Sequence, residues 1–229
     1  EILRCLVGSE MCIRDRGYRM ITINEQSSIR LELDKIIYFD PFHLSDSKHD
    51  ADVIFITHAH YDHFSIEDIL KVKKEESIIV CPKDCLEEVG KVFSSDQIIG
   101  VTPQDEITVA GYSVSVVPAY NLDKPFHPAL NHWVGYLFHD GDVTYYVMGD
   151  TDGLPFMEEL KVDYLFIPIG GKFTMNVSEA VSLVNKMKPK VVIPIHYGTI
   201  IGEVGFGEEF QRNVSDDIEC QLLLFQTSS

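Results

Sequence analysis

At 229 residues the chain suits one large domain or two small ones, and it can bury a substantial core. Hydrophobic residues make up 45% and charged residues 24%, an ordinary globular balance, and no apolar run approaches the length of a membrane span. The formal charge of −17 argues against a basic nucleic-acid groove and against adhesion to anionic lipid, although bound divalent cations would change the local field.

Five cysteines without a repeated spacing form no disulfide framework, and no secretory signal stands at the start; a reducing cytoplasm is the expected compartment. Residues 1–19 match no element. The run LVGSEMCIRDR, Leu6 to Arg16, resembles the translation of a transposon-type sequencing adapter. Residues 1–19 are therefore expected to be a non-native or disordered extension, with a single domain over residues 20–229.

From Met20, MITINEQSSIRLELDKIIYFDPF holds short β segments, and KIIYFDP reads as a buried strand closed by Asp40-Pro41. DVIFITHAH is another apolar strand, running straight into histidines. Ser65 and Asp68 in SIEDILKVKK form a capping box, which predicts a helix directly after Phe64 with KVKKEE as its solvated end. SIIVCP returns as a strand, KDCLEEVGKVF as a helix, and residues 97–120 as several short strands. WVGYLFHDGDVTYYVMGDTD reads as a hairpin turning at Asp140-Gly141. VDYLFIPIGG (strand), VSEAVSLVNKMK (amphipathic helix) and KVVIPIHYG (strand) complete an alternation that predicts a layered α/β domain.

The stretch ITHAHYDHF, Ile56 to Phe64, crowds His58, His60, Asp62 and His63 together. On a helix, side chains two apart diverge; at a strand end they share one face. His58 and His60 then converge, and the turn into the next helix swings Asp62 and His63 to a neighbouring point. Two ions a few ångströms apart are natural there. Imidazole with carboxylate suits zinc, iron or manganese. A solvated polar turn is the bland alternative, but this composition yields such a cluster by chance in roughly two chains in a thousand.

Four local side chains do not complete two sites, so distant ligands are required. VMGDTDG places Asp150 just after a strand, where its carboxylate can bridge both ions. VVIPIHYGT places His196 at the end of the strand Val191–Ile195. NLDKPFHPALNHW offers His127 and His132; His127, in the loop after the strand ending at Tyr120, is favoured, while His132 beside Trp133 better suits packing or capping. His43, His49 and His139 stand in polar loops and read as surface residues.

The HxHxDH motif, the later His, the Gly-Asp-Thr and the final strand-end His resemble the metallo-β-lactamase superfamily. YFDPF, PAYN, HP…WVGY, GDTD, PIGGKFTM and IPIHYGT are similar to its metal-dependent hydrolase branch, near the ascorbate-6-phosphate lactonase-like proteins, over about residues 20–229. The resemblance implies a four-layer αββα sandwich with a dinuclear site at the edge between two sheets. It also implies that His58, His60 and His127 hold one ion, that Asp62, His63 and His196 hold the other, and that Asp150 bridges them. The loop NLDKPFHPALNHW departs from the Thr-Pro-Gly-His-Thr form of many relatives, which leaves His132 open as the third ligand.

Two divalent ions, zinc by preference with manganese or iron as alternatives, would turn a bridging water into hydroxide near neutral pH. The expected reaction is hydrolysis of a small ester, lactone, amide or phosphoester, with Asp62 orienting the nucleophile and returning a proton to the leaving group. Asp40 either accepts the other N–H of a ligand histidine or caps a strand-end turn. Tyr120, Asn121 and Tyr197 are hydrogen-bond donors for the pocket or else structural. Gly170-Gly171 lets backbone approach the site closely, with Thr174 and Met175 as pocket lining, and no G-K-[ST] follows to make a phosphate loop. Cys81 and Cys85 read as buried thiols. A phosphodiesterase or nuclease of the same fold, and a non-enzymatic module with a relic metal site, are the alternatives. A small-molecule substrate is the expected partner rather than nucleic acid or membrane, and a homo-oligomer stays open.

Overall fold

Short, β-branched-rich segments pair with their sequence neighbours through the first hundred residues of the computed structural model, which describes residues 13–14 and 18–224. β1 (Ile13–Arg14), β2 (Tyr18–Ile23), β3 (Ile29–Glu32), β4 (Ile36–Phe39), β5 (Ala51–Phe55), β6 (Lys73–Pro82) and β7 (Ile98–Val101) form a seven-stranded sheet in that order. Of the expected extension, only β1 and the first two residues of β2 fall among the described residues; its remainder lies outside them. The first four strands are antiparallel, and β4 to β7 are parallel. Parallel pairing requires crossovers. α1 (Ile66–Val72) supplies one, and a 3-10 turn at Lys83–Cys85 running into α2 (Leu86–Val89) supplies the next.

The second sheet repeats the plan. β8 (Glu106–Val109), β9 (Tyr112–Pro118), β10 (Val134–Asp140) and β11 (Val143–Val147) make an antiparallel meander. β12 (Tyr164–Pro168), β13 (Val191–Ile195) and β14 (Glu219–Cys220) follow in parallel, with α3 (Val177–Met187) and α4 (Phe206–Asn213) between the last three. The sheets face each other through aromatic side chains. Phe39 and Phe55 stack with centroids 4.8 Å apart, and Tyr136 of the other sheet sits 4.9 Å from Phe55. Side chains alternate along β5: Val53 and Phe55 enter this central cluster, while Ile54 and Ile56 turn outward onto Ile69 and Val72 of α1. Both faces are covered, which explains the unbroken apolar run. On the far side Ala180 and Val184 of α3 and Phe210 of α4 join the larger cluster, completing the αββα sandwich.

Three local expectations are corrected. Lys73 to Glu76 do not end a helix; they open the inner strand β6, where Lys74 pairs with Asp52 at 2.6 Å. KDCLEEVGKVF gives only a 3-10 turn and one turn of helix, ended at Gly90. The hairpin turn is Gly141-Asp142, with Asp140 still paired to Val143 and Gly141 supplying φ +59. Among the described residues no helix is long and apolar enough to cross a membrane.

The Ser65 cap, in which Oγ accepts from Asp68 N without the reciprocal bond of a capping box, does more than start α1. Asp68 takes hydrogen bonds from Ser65 Oγ (2.7 Å), His43 N (3.1 Å), Leu44 N (2.9 Å) and Lys71 Nζ (2.9 Å), tying the loop after β4 to the helix behind the histidine cluster. Burial works to raise its pKa, but the bonds from Ser65, Lys71, Leu44 and His43 outweigh it and hold the carboxyl below its ordinary value. The contribution is therefore complete above the unfolded-chain value of about 3.9 and is lost as pH falls through the lower folded value. Asp68→Ala is expected to cost about 2–3 kcal/mol at neutral pH. Urea denaturation should show that difference from wild type shrinking only below about pH 4.

Candidate metal centre

β5 and β13, one in each sheet, end on the same side of the sandwich, and the clustered residues stand at or near such strand ends. After β5, Ile56 N still bonds Val80 O, and then the chain leaves the sheet. His63 N and Phe64 N both donate to His60 O, at 3.0 and 2.8 Å, closing a tight turn that carries Asp62 and His63 back beside His58. Asp150 follows β11 through Gly149, φ +68, where a Cβ would lie 2.9 Å from Val134 O; only glycine lets the two backbones meet. His196 directly follows β13 in the left-handed region, φ +56, its N–H bonded to Gln26 O at 2.9 Å. His127 comes from the loop between β9 and β10, where Asn121 Oδ1 accepts its N–H at 3.1 Å.

Three overlapping groups result: His58, His60 and His127; His58, His63 and Asp150; Asp62, His63 and His196. Within each, the ligand-capable atoms lie within 4.8 Å of one another. Asp150 stands between the groups: Oδ1 is 3.3 Å from His63 Nε2, and Oδ2 is 3.2 Å from both His127 Nε2 and His196 Nε2. Asp62 Oδ2 lies 3.5 Å from His63 Nε2 and 3.4 Å from His196 Nε2.

Outer acceptors decide which nitrogens face inward. Asp40 Oδ2 accepts from His63 Nδ1 at 2.7 Å and from Thr57 Oγ1 at 2.6 Å, while Oδ1 takes Thr57 N at 2.8 Å. With its own proton given to Asp40, Thr57 Oγ1 is left to accept from His58 Nδ1 at 3.0 Å. Asn121 Oδ1 and Phe173 O face His127 Nδ1 at 3.0 and 3.1 Å. His58, His63 and His127 thus direct Nδ1 outward to these acceptors and Nε2 into the cluster.

The charge pattern agrees. Burial, with His63 next, lowers the His58 pKa well below its usual value, and burial followed by His127 lowers that of His60, so both present neutral lone pairs. Burial opposes charge on His63 and His196 too, but the Asp150 carboxylate foremost outweighs it, raising His63 well above normal and His196 to about 9. Asp62 falls to about 2: burial works against its charge, and His63 and His196 override it. Burial pushes the Asp40 carboxyl up, with His63 and Thr57 pulling the other way. This pocket attracts positive charge. His63 Nε2, His127 Nε2 and Asp150 Oδ1 are buried yet make no aligned hydrogen bond with the described residues, which costs about 1–3 kcal/mol per group. Imidazole and carboxylate atoms left this way around common centres fit divalent transition-metal ions.

A cleft of about 410 Å³ opens onto the cluster, walled by Tyr61, Phe126, Phe173, Ile200 and Ile201, with Lys172 at its side. A second cleft of about 480 Å³, beside Lys124 and α3, contains none of the clustered residues. Neither Tyr120 nor Tyr197 lines the metal-facing cleft. Tyr120 anchors the Asp150 loop through its backbone, accepting from Asp152 N at 3.0 Å and donating to Thr151 Oγ1 at 3.1 Å. Tyr197 is buried in the core, its hydroxyl against Gly207. Asn121 acts on His127 rather than on the cleft. His132 is exposed, and it is the His127 ring that joins His58 and His60. Thr174 is buried and Met175 lines the second cleft. His43 and His49 are exposed, His139 is partly so, and Cys81 and Cys85 are buried free thiols.

Sequence reasoning missed Gln26. This fully buried residue, φ +52, donates from Nε2 to Asp62 Oδ2 at 3.3 Å, and Thr199 Oγ1 holds its Oε1 at 2.8 Å. Nothing in NEQSS signals it. Thr57 was also missed, although its place directly before His58 at a strand end is a usable sign. Trp133 packs its ring 5.0 Å from His58 and 4.7 Å from His60 and ties itself to Asp84 at 2.7 Å.

Residues 27–197 match the Beta-lactamase superfamily domain. The chain is 31% identical over 207 residues to a UPF0173 metal-dependent hydrolase of Pyrococcus horikoshii, covering 84% of this chain and 91% of that one. It is 32% identical over 206 residues to another of Thermococcus kodakarensis, with the same coverage of 84% and 91%. A crystal structure from Parabacteroides distasonis, of a protein proposed to be a metal-dependent hydrolase, superposes with TM-score 0.78 at 26% identity, covering 94% of this chain and 97% of that one.

Two variants test the arrangement. Asp40→Asn removes the acceptor shared by His63 and Thr57, and cation affinity is expected to fall about 10–100-fold with the fold retained; elemental analysis after dialysis against graded chelators measures it. A Cβ on Gly170 would meet His196 O at 2.3 Å and Ile201 Cγ2 at 2.7 Å. Gly170→Ala should therefore lower stability by about 1–3 kcal/mol in thermal denaturation, and a variant as stable as wild type would show that this approach is looser than described.

Proposed function

The chain belongs to the metallo-β-lactamase superfamily, in its metal-dependent hydrolase branch, and from that membership we propose that it hydrolyses a small ester, lactone, amide or phosphoester with two divalent cations, zinc by preference. The observation that carries the reading is Asp150, a single buried carboxylate within 3.3 Å of His63 and 3.2 Å of His127 and His196. His58, His60 and His127 would hold one cation and Asp62, His63 and His196 the other, with Asp150 shared. Bound there, the cations would supply Lewis acidity, which would make hydroxide available near neutral pH and polarise a carbonyl or phosphoryl oxygen.

The chain's own groups complete the chemistry. Asp62, held by Gln26 and facing His63 and His196, orients the attacking water and returns its proton to the leaving group. Tyr61, Phe126 and Phe173 wall a cleft of about 410 Å³, a size that suits a small-molecule substrate. Manganese and iron suit the same donors. The likeness to ascorbate-6-phosphate lactonase-like proteins makes a lactone the first substrate to try. The net charge of −17 weighs against a nuclease. Free thiols at Cys81, Cys85 and Cys220 suit a reducing cytoplasm.

Removing divalent ions with a chelator is expected to abolish turnover of an ester, lactone and phosphodiester panel, and zinc to restore it. Asp62→Asn should lower kcat by about 100-fold or more with the circular dichroism of wild type; a loss under about threefold would take Asp62 out of the proton transfers. Asp150→Ala is expected to bind fewer ions per chain, and an unchanged stoichiometry in elemental analysis rules out the shared carboxylate.

A further inference from the structure

Lys172 stands on a turn built to hold it. Gly171, φ +89, donates to Met175 O at 3.0 Å and accepts from Thr174 N at 2.6 Å. Two residues on, Phe173 O takes Asn121 Nδ2 at 2.9 Å and faces His127 Nδ1 at 3.1 Å. The lysine is thus one residue from a carbonyl that orients a candidate ligand. Its ammonium lies 5.0 Å from the Phe173 ring centre and 6.0 Å from that of Phe126, and the two rings meet edge to face at 4.6 Å.

With 36 acidic residues against 19 lysines and arginines, a lysine has many carboxylates to choose from. Among the described residues none forms an ion pair with Lys172, and no other lysine or arginine lines the cleft. Aromatic faces attract the ammonium without using its N–H donors, which a carboxylate partner would occupy. The remaining polar lining, including Asp62, Asp150 and His196, faces the metal-binding cluster. The other wall groups, Tyr61, Phe126, Phe173, Ile200 and Ile201, are aromatic or aliphatic.

We propose that Lys172 is the anion-recognition residue of this cleft, and that the substrate joins an apolar body to a carboxylate or phosphate group separate from the bond that is cleaved. The assignment deepens the hydrolase reading and rests on it for the fate of the bound molecule. The rings of Phe126 and Phe173 take the apolar body, while the free ammonium hydrogens take the anion.

Calorimetric titration of the zinc-loaded protein with 3-phenylpropionate and with its uncharged amide provides the test, in wild type, Lys172→Met and Lys172→Arg. The methionine variant is expected to bind the carboxylate about fivefold more weakly and the amide unchanged, with arginine restoring the carboxylate. Rising ionic strength should weaken carboxylate binding more in wild type than in Lys172→Met. Equal affinities in wild type and Lys172→Met, an equal loss for both ligands, or no binding to wild type overturns the proposal. Hydrolysis of neutral esters by all three proteins with Lys172-independent anion binding removes the anion subsite and keeps the hydrolase. Lys172-dependent anion binding in a protein that hydrolyses nothing keeps the subsite and removes the hydrolase.

Discussion

The buried carboxylate of Asp40 takes the backbone N–H and hydroxyl of Thr57 and the Nδ1–H of His63, and through Thr57 it also governs His58. Two imidazoles from one short turn are thereby held in the same orientation, with Nδ1 outward and Nε2 facing one space. The arrangement depends on the parallel pairing of β4 with β5. Asp40 N bonds Phe55 O at 2.9 Å, which sets Asp40 beside Thr57 where both strands run out. Its own φ of +43 turns the chain there. The sheet thus aims the ligands by placing one acceptor.

Around that anchor, burial and charge oppose each other. Desolvation makes charge costly, yet Asp62 and Asp150 remain ionised because His63 and His196 supply positive charge beside them. Without a cation the pocket balances itself with protons on histidines; with cations, the same carboxylates and the inward lone pairs have their natural partners. Close backbone approach makes this possible. Gly149 lets the Asp150 loop meet Val134, and Gly170 leaves room for His196.

The cleft adds a different logic. Its walls come from loops, and those loops are fastened to the ligand shell, since Phe173 O and Asn121 orient His127 while Phe126 and Phe173 pack on each other. The cleft walls and the groups that orient His127 are therefore parts of one connected assembly.

Local pattern carries far along this chain. Apolar strands, the Ser65 cap and the turn after Phe55 are short-range properties, so the α/β order and the crowd from His58 to His63 are legible in the residues alone. Asp150 and His196 are legible too, as chemically capable residues just beyond apolar strands, whereas the choice of His127 over His132, both in the loop between β9 and β10, needs the fold. α4 left little pattern, with Gly207 and Phe210 its only buried residues, and it was not expected. KVKKEE misled because a charged run reads alike at the end of a helix and at the start of a strand, and α1 passes directly into β6 between Val72 and Lys73. Only the tertiary structure decided the rest: the contact between Gln26 and His196 spans 170 positions, that between Asn121 and Phe173 spans 52, and that between Asp40 and His63 spans 23. A single sequence encodes which side chains can bind a cation, since that is a property of each residue and its neighbours. Which nitrogens face inward, and which walls surround them, follows from hydrogen bonds that exist only once the two sheets have closed on each other.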